Sequence, residues 1–271
     1  MKQRLITALK ALLIGASMLI PGVSGGTMAI ILNVYDKLLS AVSHFFQNPK
    51  KNADFLLTFL IGGLLGVFLF SNVILSITNA FPFPMMFFFM GAILGGLPAL
   101  VGHAKKDGRF QLRQLLYVLI GIAVVVGISM GPSKIFQTDS SGLDALAILF
   151  VAGVLCAVAL ILPGISISYM LLIFGLYEPA MTAIHTLDFG FLFPIGLGLI
   201  AGILLMVKLL EKAMTKAPQV TYPLIIGFLL GSLPEVFPGI PSGINWLICP
   251  IMLAAGFAAI LLLSRLTADA E

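Results

Sequence analysis

Residues 20–36 read Ile-Pro-Gly-Val-Ser-Gly-Gly-Thr-Met-Ala-Ile-Ile-Leu-Asn-Val-Tyr-Asp, and residues 162–178 read Leu-Pro-Gly-Ile-Ser-Ile-Ser-Tyr-Met-Leu-Leu-Ile-Phe-Gly-Leu-Tyr-Glu. At one constant offset Pro21, Gly22, Ser24, Met28, Ile31 and Tyr35 fall on Pro163, Gly164, Ser166, Met170, Ile173 and Tyr177, and Asp36 falls on Glu178. A Pro-Gly-x-Ser break that occurs twice inside apolar sequence points to a transporter built from an internal repeat.

The duplication extends outward from these motifs. Phe55, Leu56, Gly62 and Gly66 match Phe191, Leu192, Gly198 and Gly202, while Gly91, Gly95, Leu97 and Pro98 match Gly227, Gly231, Leu233 and Pro234. Of 271 residues, 60% are apolar and 10% charged, with a mean hydropathy of +1.13. A soluble domain carries about 25% charged residues, so the expected class is an all-α integral membrane protein. The few charges are spread over short connections, which leaves no footprint for nucleic acid. Cys156 and Cys249 lie in apolar stretches without metal-ligand spacing, so neither a disulfide framework nor a metal site is expected. Met1 to Ile20 is basic then apolar like a signal peptide, but Lys10 interrupts it and no small-x-small cleavage site follows, so it is read as part of the mature chain.

Two repeats are expected, 1–135 and 142–267. Each holds a broken segment (5–45; 145–187) followed by three apolar stretches (55–75, 84–101 and 112–131; 191–210, 222–237 and 244–264) that approach the roughly 20 residues a crossing helix needs. If each broken segment returns to its starting side, Lys2, Arg4, Lys10, Lys37, Lys50, Lys51, Lys105, Lys106, Arg109, Arg113, Lys208, Lys212, Lys216 and Arg265 share one side and only Lys134 lies on the other, 14 against 1. If each crosses once, the count becomes 8 against 7. Because cytoplasmic loops collect Lys and Arg, the sequence predicts an inverted-topology repeat, each half a re-entrant broken helical hairpin plus three transmembrane helices, with both termini cytoplasmic. The uncharged tips, Pro21 to Thr27 and Pro163 to Ser168, and the short arm near 5–20 favour re-entrance over two full crossings.

At each tip proline ends one arm, glycine frees the backbone, and Ser24 or Ser166 precedes the next helix. A helix start attracts anions, phosphate above all. Ser24, Gly25, Gly26, Thr27, Ser166 and Ser168 are therefore the candidate phosphate-binding residues, with no catalytic residue expected. Asp36 and Glu178 have two readings: binding of a coupling H+ or Na+, or an interfacial helix end with Tyr35 and Tyr177 as aromatic anchors. His44, His103 and His185 are expected to be solvated beside loops. The glycines at four-residue spacing are expected to pack helices closely, and Lys105, Lys106, Arg109 and Arg113 to meet lipid headgroups.

Pro21-Gly-Val-Ser-Gly-Gly-Thr27 with Tyr35-Asp36, and Pro163-Gly-Ile-Ser166 with Leu176-Tyr177-Glu178, closely resemble the bacterial DUF368 family, the PopT polyprenyl-phosphate transporters. The resemblance implies a multi-pass protein of the cytoplasmic membrane that returns undecaprenyl phosphate from the outer to the inner leaflet for peptidoglycan and other envelope polymers. Ile167 departs from the pattern by replacing a glycine, which shifts the expected weight toward Ser24, Gly25, Gly26 and Thr27. Two other readings stand beside this one. An integral-membrane undecaprenyl-diphosphate phosphatase also combines Pro-Gly-x-Ser with inverted repeats, but needs cationic clamps that these tips lack. A small-anion transporter would use the same helix-start chemistry.

Overall fold

The computed structural model describes residues 2–18, 25–105, 109–130, 143–162, 164–165 and 167–268. The order is α1 (Lys2–Ser17), α2 (Gly25–Ile31), α3 (Tyr35–Ser43), a short 3-10 turn (Phe45–Gln47), α4 (Pro49–Ala80), α5 (Pro82–Ala104) and α6 (Leu112–Ser129). It continues with α7 (Leu143–Ile161), α8 (Ile167–Ile173), α9 (Tyr177–Thr186), α10 (Phe189–Lys216), α11 (Pro218–Val236) and α12 (Asn245–Ala268). The sequence punctuates these elements. Pro49, Pro82 and Pro218 open α4, α5 and α11, where a missing N–H costs nothing. Gln111 and Gln114 form a reciprocal cap at the start of α6, and the Gln114 amide also donates to the Ala104 carbonyl at 2.6 Å, tying α6 to the end of α5.

Among the described residues, seven helices are long and apolar enough to cross a membrane: α4, α5, α6, α7, α10, α11 and α12. Six match the expected crossing segments. The seventh, α7, was expected to be a re-entrant arm like α1, yet Asp144–Ile161 alone has the length and hydropathy of a span, so the two broken segments are unequal. Leu60, Leu64, Phe68, Leu204, Leu205, Leu247 and Ile251 are exposed, which is the outward apolar surface that lipid covers. The most enclosed span is α11, packed against both α5 and α6.

The spans pair through glycines. A Cβ at Gly62 would lie 2.7 Å from the Ala8 carbonyl, and one at Gly66 would strike the Leu12 carbonyl, so α1 and α4 touch backbone to backbone. The matched glycines do the same in the second half: Gly198 meets the Phe150 carbonyl, and Gly202 lies against Val154 and Ala157. In both pairs the residue numbers rise together, so α1 runs parallel to α4 and α7 parallel to α10. Gly91 and Gly95 of α5 likewise meet Leu253 and Phe257 of α12, and Gly227 and Gly231 of α11 meet Val118 and Ile122 of α6, again in parallel. The packing role expected of these glycines is therefore met.

Parallel packing constrains the broken segments. Both first arms finish near the middle of their partners: Ala16 lies beside Gly66 of α4, and Ala157 beside Gly202 of α10. At 1.5 Å per residue α4 is about 48 Å long and α10 about 42 Å, so each midpoint lies about 20 Å or more from either end of its helix.

Replacing Gly198 with Ala should destabilise the protein by about 1–3 kcal/mol through overpacking. Gly196→Ala, two residues away on α10 with open space around it, should leave stability unchanged or raised. Thermal unfolding of both variants in detergent checks this, and equal shifts would contradict the backbone contact.

Candidate functional site

The duplicated motif folds into a duplicated turn. Beyond α2, Leu32 N–H donates to Met28 C=O, Asn33 to Ile30 and Val34 to Ala29, each at 2.9 Å. Beyond α8, Phe174 donates to Met170, Gly175 to Leu172 and Leu176 to Leu171, at 3.0, 3.0 and 2.8 Å. Both closures need one left-handed residue, and Asn33 (φ 53°) and Gly175 (φ 72°) supply it at matched positions.

α2 begins at Gly25 and α8 at Ile167, directly after Ser24 and Ser166. Those two serines lie outside the described residues, as do the side chains of Thr27 and Ser168. Gly25 and Gly26 are half-buried. On the second side Gly164 takes φ +88° and has the Phe228 carbonyl where a Cβ would stand, which sets this tip against the middle of α11.

Tyr35 and Tyr177, equivalent in sequence, differ in surroundings. Tyr35 is 3% exposed and its hydroxyl donates to the Ile161 carbonyl. That carbonyl lies at the C-terminus of α7, where the last four C=O groups have no partner within the helix. A residue of the first half thus caps a helix of the second, which rules out the interfacial-anchor reading for Tyr35. Tyr177 is 36% exposed. The helices that follow differ as well: α3 packs against α10, with His44 Nδ1 3.4 Å from Glu211 Oε1, whereas α9 makes no comparable packing on α4 among the described residues.

The paired acids lie at opposite ends of α10. Asp36 lines a cavity of about 350 Å³ with Asn33, His103, Met214, Tyr222 and Ser264. Partial burial holds the Asp36 carboxyl above the usual carboxylate range, and the nearby His103 pulls it back down. His103 is exposed beside a helix end, as expected, and has a partner there. It occupies the last turn of α5 and stacks on Tyr222 of α11, with centroids 5.0 Å apart and planes 16° from parallel. Glu178, in the first turn of α9, lines a shallow depression of about 430 Å³ with Thr182, Thr186 and Asp188.

Lys10 is a further residue that sequence reasoning passed over. It is 4% exposed, on one face of α1 with Thr7 and Ser17, which are also buried. The spacing 7, 10, 14, 17 is the 3.6-residue period of a single helical stripe. That periodicity, with apolar Ile14 completing the stripe, is the available signal, and counting Lys10 as a one-sided cation and as a break in a leader-like run leaves it unread.

Tyr35→Phe should lower stability by about 1 kcal/mol, the net worth of one hydrogen bond, or about 2–4 °C in melting temperature. Tyr177→Phe should change neither, and thermal-shift measurements on the two variants separate the outcomes.

Residues 14–247 match the family described as undecaprenyl phosphate translocase-like. A curated protein named polyprenyl-phosphate transporter, from Staphylococcus aureus (strain NCTC 8325 / PS 47), is 35% identical over 98% of this chain and 98% of its own length. Another of the same name, from Vibrio cholerae serotype O1, is 30% identical over 86% of this chain and 78% of its own. No solved structure matches.

Proposed function

The chain belongs to the undecaprenyl phosphate translocase-like family, and from that premise we propose that it carries undecaprenyl phosphate from the outer to the inner leaflet of a bacterial cytoplasmic membrane, returning the carrier for envelope synthesis. The observation that carries this reading is similarity along 98% of the chain to a protein named as a polyprenyl-phosphate transporter. Both relatives are named as transporters rather than enzymes, so the chain is a transporter and the phosphatase alternative is set aside. Their named substrate class equally favours a lipid phosphate over a small anion.

The topology is that of two inverted halves with cytoplasmic termini. Support comes from the parallel pairs α1–α4, α7–α10, α5–α12 and α6–α11. If α5 runs down and α6 up, α12 runs down and α11 up, so corresponding spans of the two halves point opposite ways. The tips are re-entrant, a reading supported by first arms that finish beside the midpoints of α4 and α10.

The phosphate binds between the two tips, on backbone N–H groups at the starts of α2 and α8 and the hydroxyls of Ser24, Thr27, Ser166 and Ser168. Gly25 and Gly26 allow close approach. A lipid phosphate has a head whose transfer into a low-dielectric layer is costly and a tail whose transfer is not. The site therefore replaces hydration around the head and leaves the tail in lipid. Movement is by one half rocking against the other. The unequal surroundings of Tyr35 and Tyr177 and the one-sided α3–α10 packing support this, because a two-state device built from matched halves occupies one asymmetric state at a time. Coupling to H+ or Na+ runs through Asp36 or Glu178.

Purified protein in nanodiscs should bind undecaprenyl phosphate in preference to inorganic phosphate and undecaprenyl diphosphate, and Ser24→Ala should weaken binding by about tenfold, the loss of about 1.4 kcal/mol. Equal competition by inorganic phosphate would replace the lipid reading with a small-anion carrier. Release of phosphate from the diphosphate would restore the enzyme.

A further inference from the structure

Asp36 and His103 share a cavity whose walls come from both halves of the chain. Asp36 and Asn33 approach from the α2–α3 turn, His103 from α5, Tyr222 from α11 and Ser264 from α12. Asp36 and His103 are both exposed to this space, so protons exchange between them and water. The second half offers no such pair: the depression beside Glu178 holds the carboxylate Asp188 and two threonines but no imidazole.

We propose that Asp36 and His103 form one proton-binding unit, and that the ion coupled to lipid-phosphate movement is a proton that enters or leaves through this cavity. The inference rests on the transporter reading and deepens it by choosing between the two candidate ions. A proton on the Asp36 carboxyl passes to an imidazole nitrogen of His103, directly or through a cavity water, and from there to bulk water. The carboxyl becomes carboxylate and the imidazole, briefly imidazolium, returns to neutral. Imidazole is the side chain whose ordinary titration range, about pH 6.5, suits this exchange.

The stacking on Tyr222 links protonation to conformation. An imidazolium over the face of a phenol ring is held more strongly than a neutral imidazole. Charging His103 therefore tightens α5 against α11, a contact between the two halves. A sodium ion suits this pair less, since a charged imidazole repels it and a neutral imidazole is a poor ligand for a hard cation that prefers oxygen.

The titratable and charged groups on the surrounding elements leave the pair in control. Tyr35 on α3 and Tyr222 on α11 are buried phenols. Lys37 turns away onto the Phe55 ring of α4, 5.3 Å from its centroid. His44 and Glu211 face each other at the far end of α3, and Lys50 and Lys51 of α4, Lys105 after α5, and Lys208, Lys212 and Lys216 of α10 are exposed.

The test reconstitutes the full chain in liposomes containing undecaprenyl phosphate and an entrapped pH-sensitive dye, and follows lipid movement and proton movement together from pH 5.5 to 8. Wild type should move both, with a rate that changes about fivefold or more across that range. His103→Gln should slow lipid movement and lose most of its pH dependence, with less than about a twofold change across the range, and Asp36→Asn should abolish proton movement. His185→Gln, at an exposed site on α9, should keep the wild-type profile. His103→Asn, confirmed by its melting temperature to be folded, guards against loss of structure in the Gln variant. Lipid movement driven by a sodium gradient without protons, or an unchanged pH profile in both folded His103 variants, would overturn the proton unit and leave the transporter intact. Absence of lipid movement in wild type under any gradient would overturn the transporter reading itself.

Discussion

The structure depends on helices that meet without side chains between them. Lipid tails are as apolar as leucine, so hydrophobic burial does little to bring membrane helices together, and close backbone packing takes over that role. Here Gly62, Gly66, Gly91, Gly95, Gly198, Gly202, Gly227 and Gly231 bring parallel helices to backbone contact in four places. A bundle fixed this way is stiff within each pair, because any added Cβ meets a carbonyl. The surfaces between pairs are joined through side chains instead: α3 on α10, the Tyr35 hydroxyl on the Ile161 carbonyl at the end of α7, and His103 on Tyr222. The functional proposals lie on those surfaces for that reason.

Both broken segments use one local design. A short helix of seven residues, Gly25–Ile31 or Ile167–Ile173, ends in the same left-handed closure and is followed by tyrosine and an acid. The sequence match is therefore a match of backbone hydrogen bonds. Their surroundings differ: Tyr35 is capped onto the opposite half and Tyr177 is not, and Asp36 lies in a cavity with an imidazole while Glu178 lies over a shallow depression. Equal local structures in unequal environments are what a two-state device made from matched halves requires.

Much of the fold was legible because membrane helices announce themselves through length and hydropathy, and six crossing segments lie where the sequence placed them. The matched glycines were legible too, since four-residue spacing is a local signal. The span-like length of α7 was less so, because its apolar run passes into the Pro163 motif without a charge to mark an arm. His103 is exposed beside a helix end as expected, but Gly102, His103, Ala104 and Lys105 read as a loop, whereas the Gln114 amide donates to the Ala104 carbonyl and α5 continues through Ala104. Tyr222 lies more than 100 residues away, and no local pattern predicts that stacking. The tip residues were legible as a motif, and Ser24 and Ser166 at its centre lie outside the described residues.

The account makes its central claim about where the phosphate sits. An experimental structure of the protein in nanodiscs with undecaprenyl phosphate tests it most directly. The account predicts phosphate density between residues 24–27 and 166–168, held by N–H groups and hydroxyls, with the polyprenyl tail leading out between helices into lipid. Density bound at Lys105, Arg109 and Arg113 on the surface, or in the Asp36–His103 cavity, with both tips empty, would contradict it.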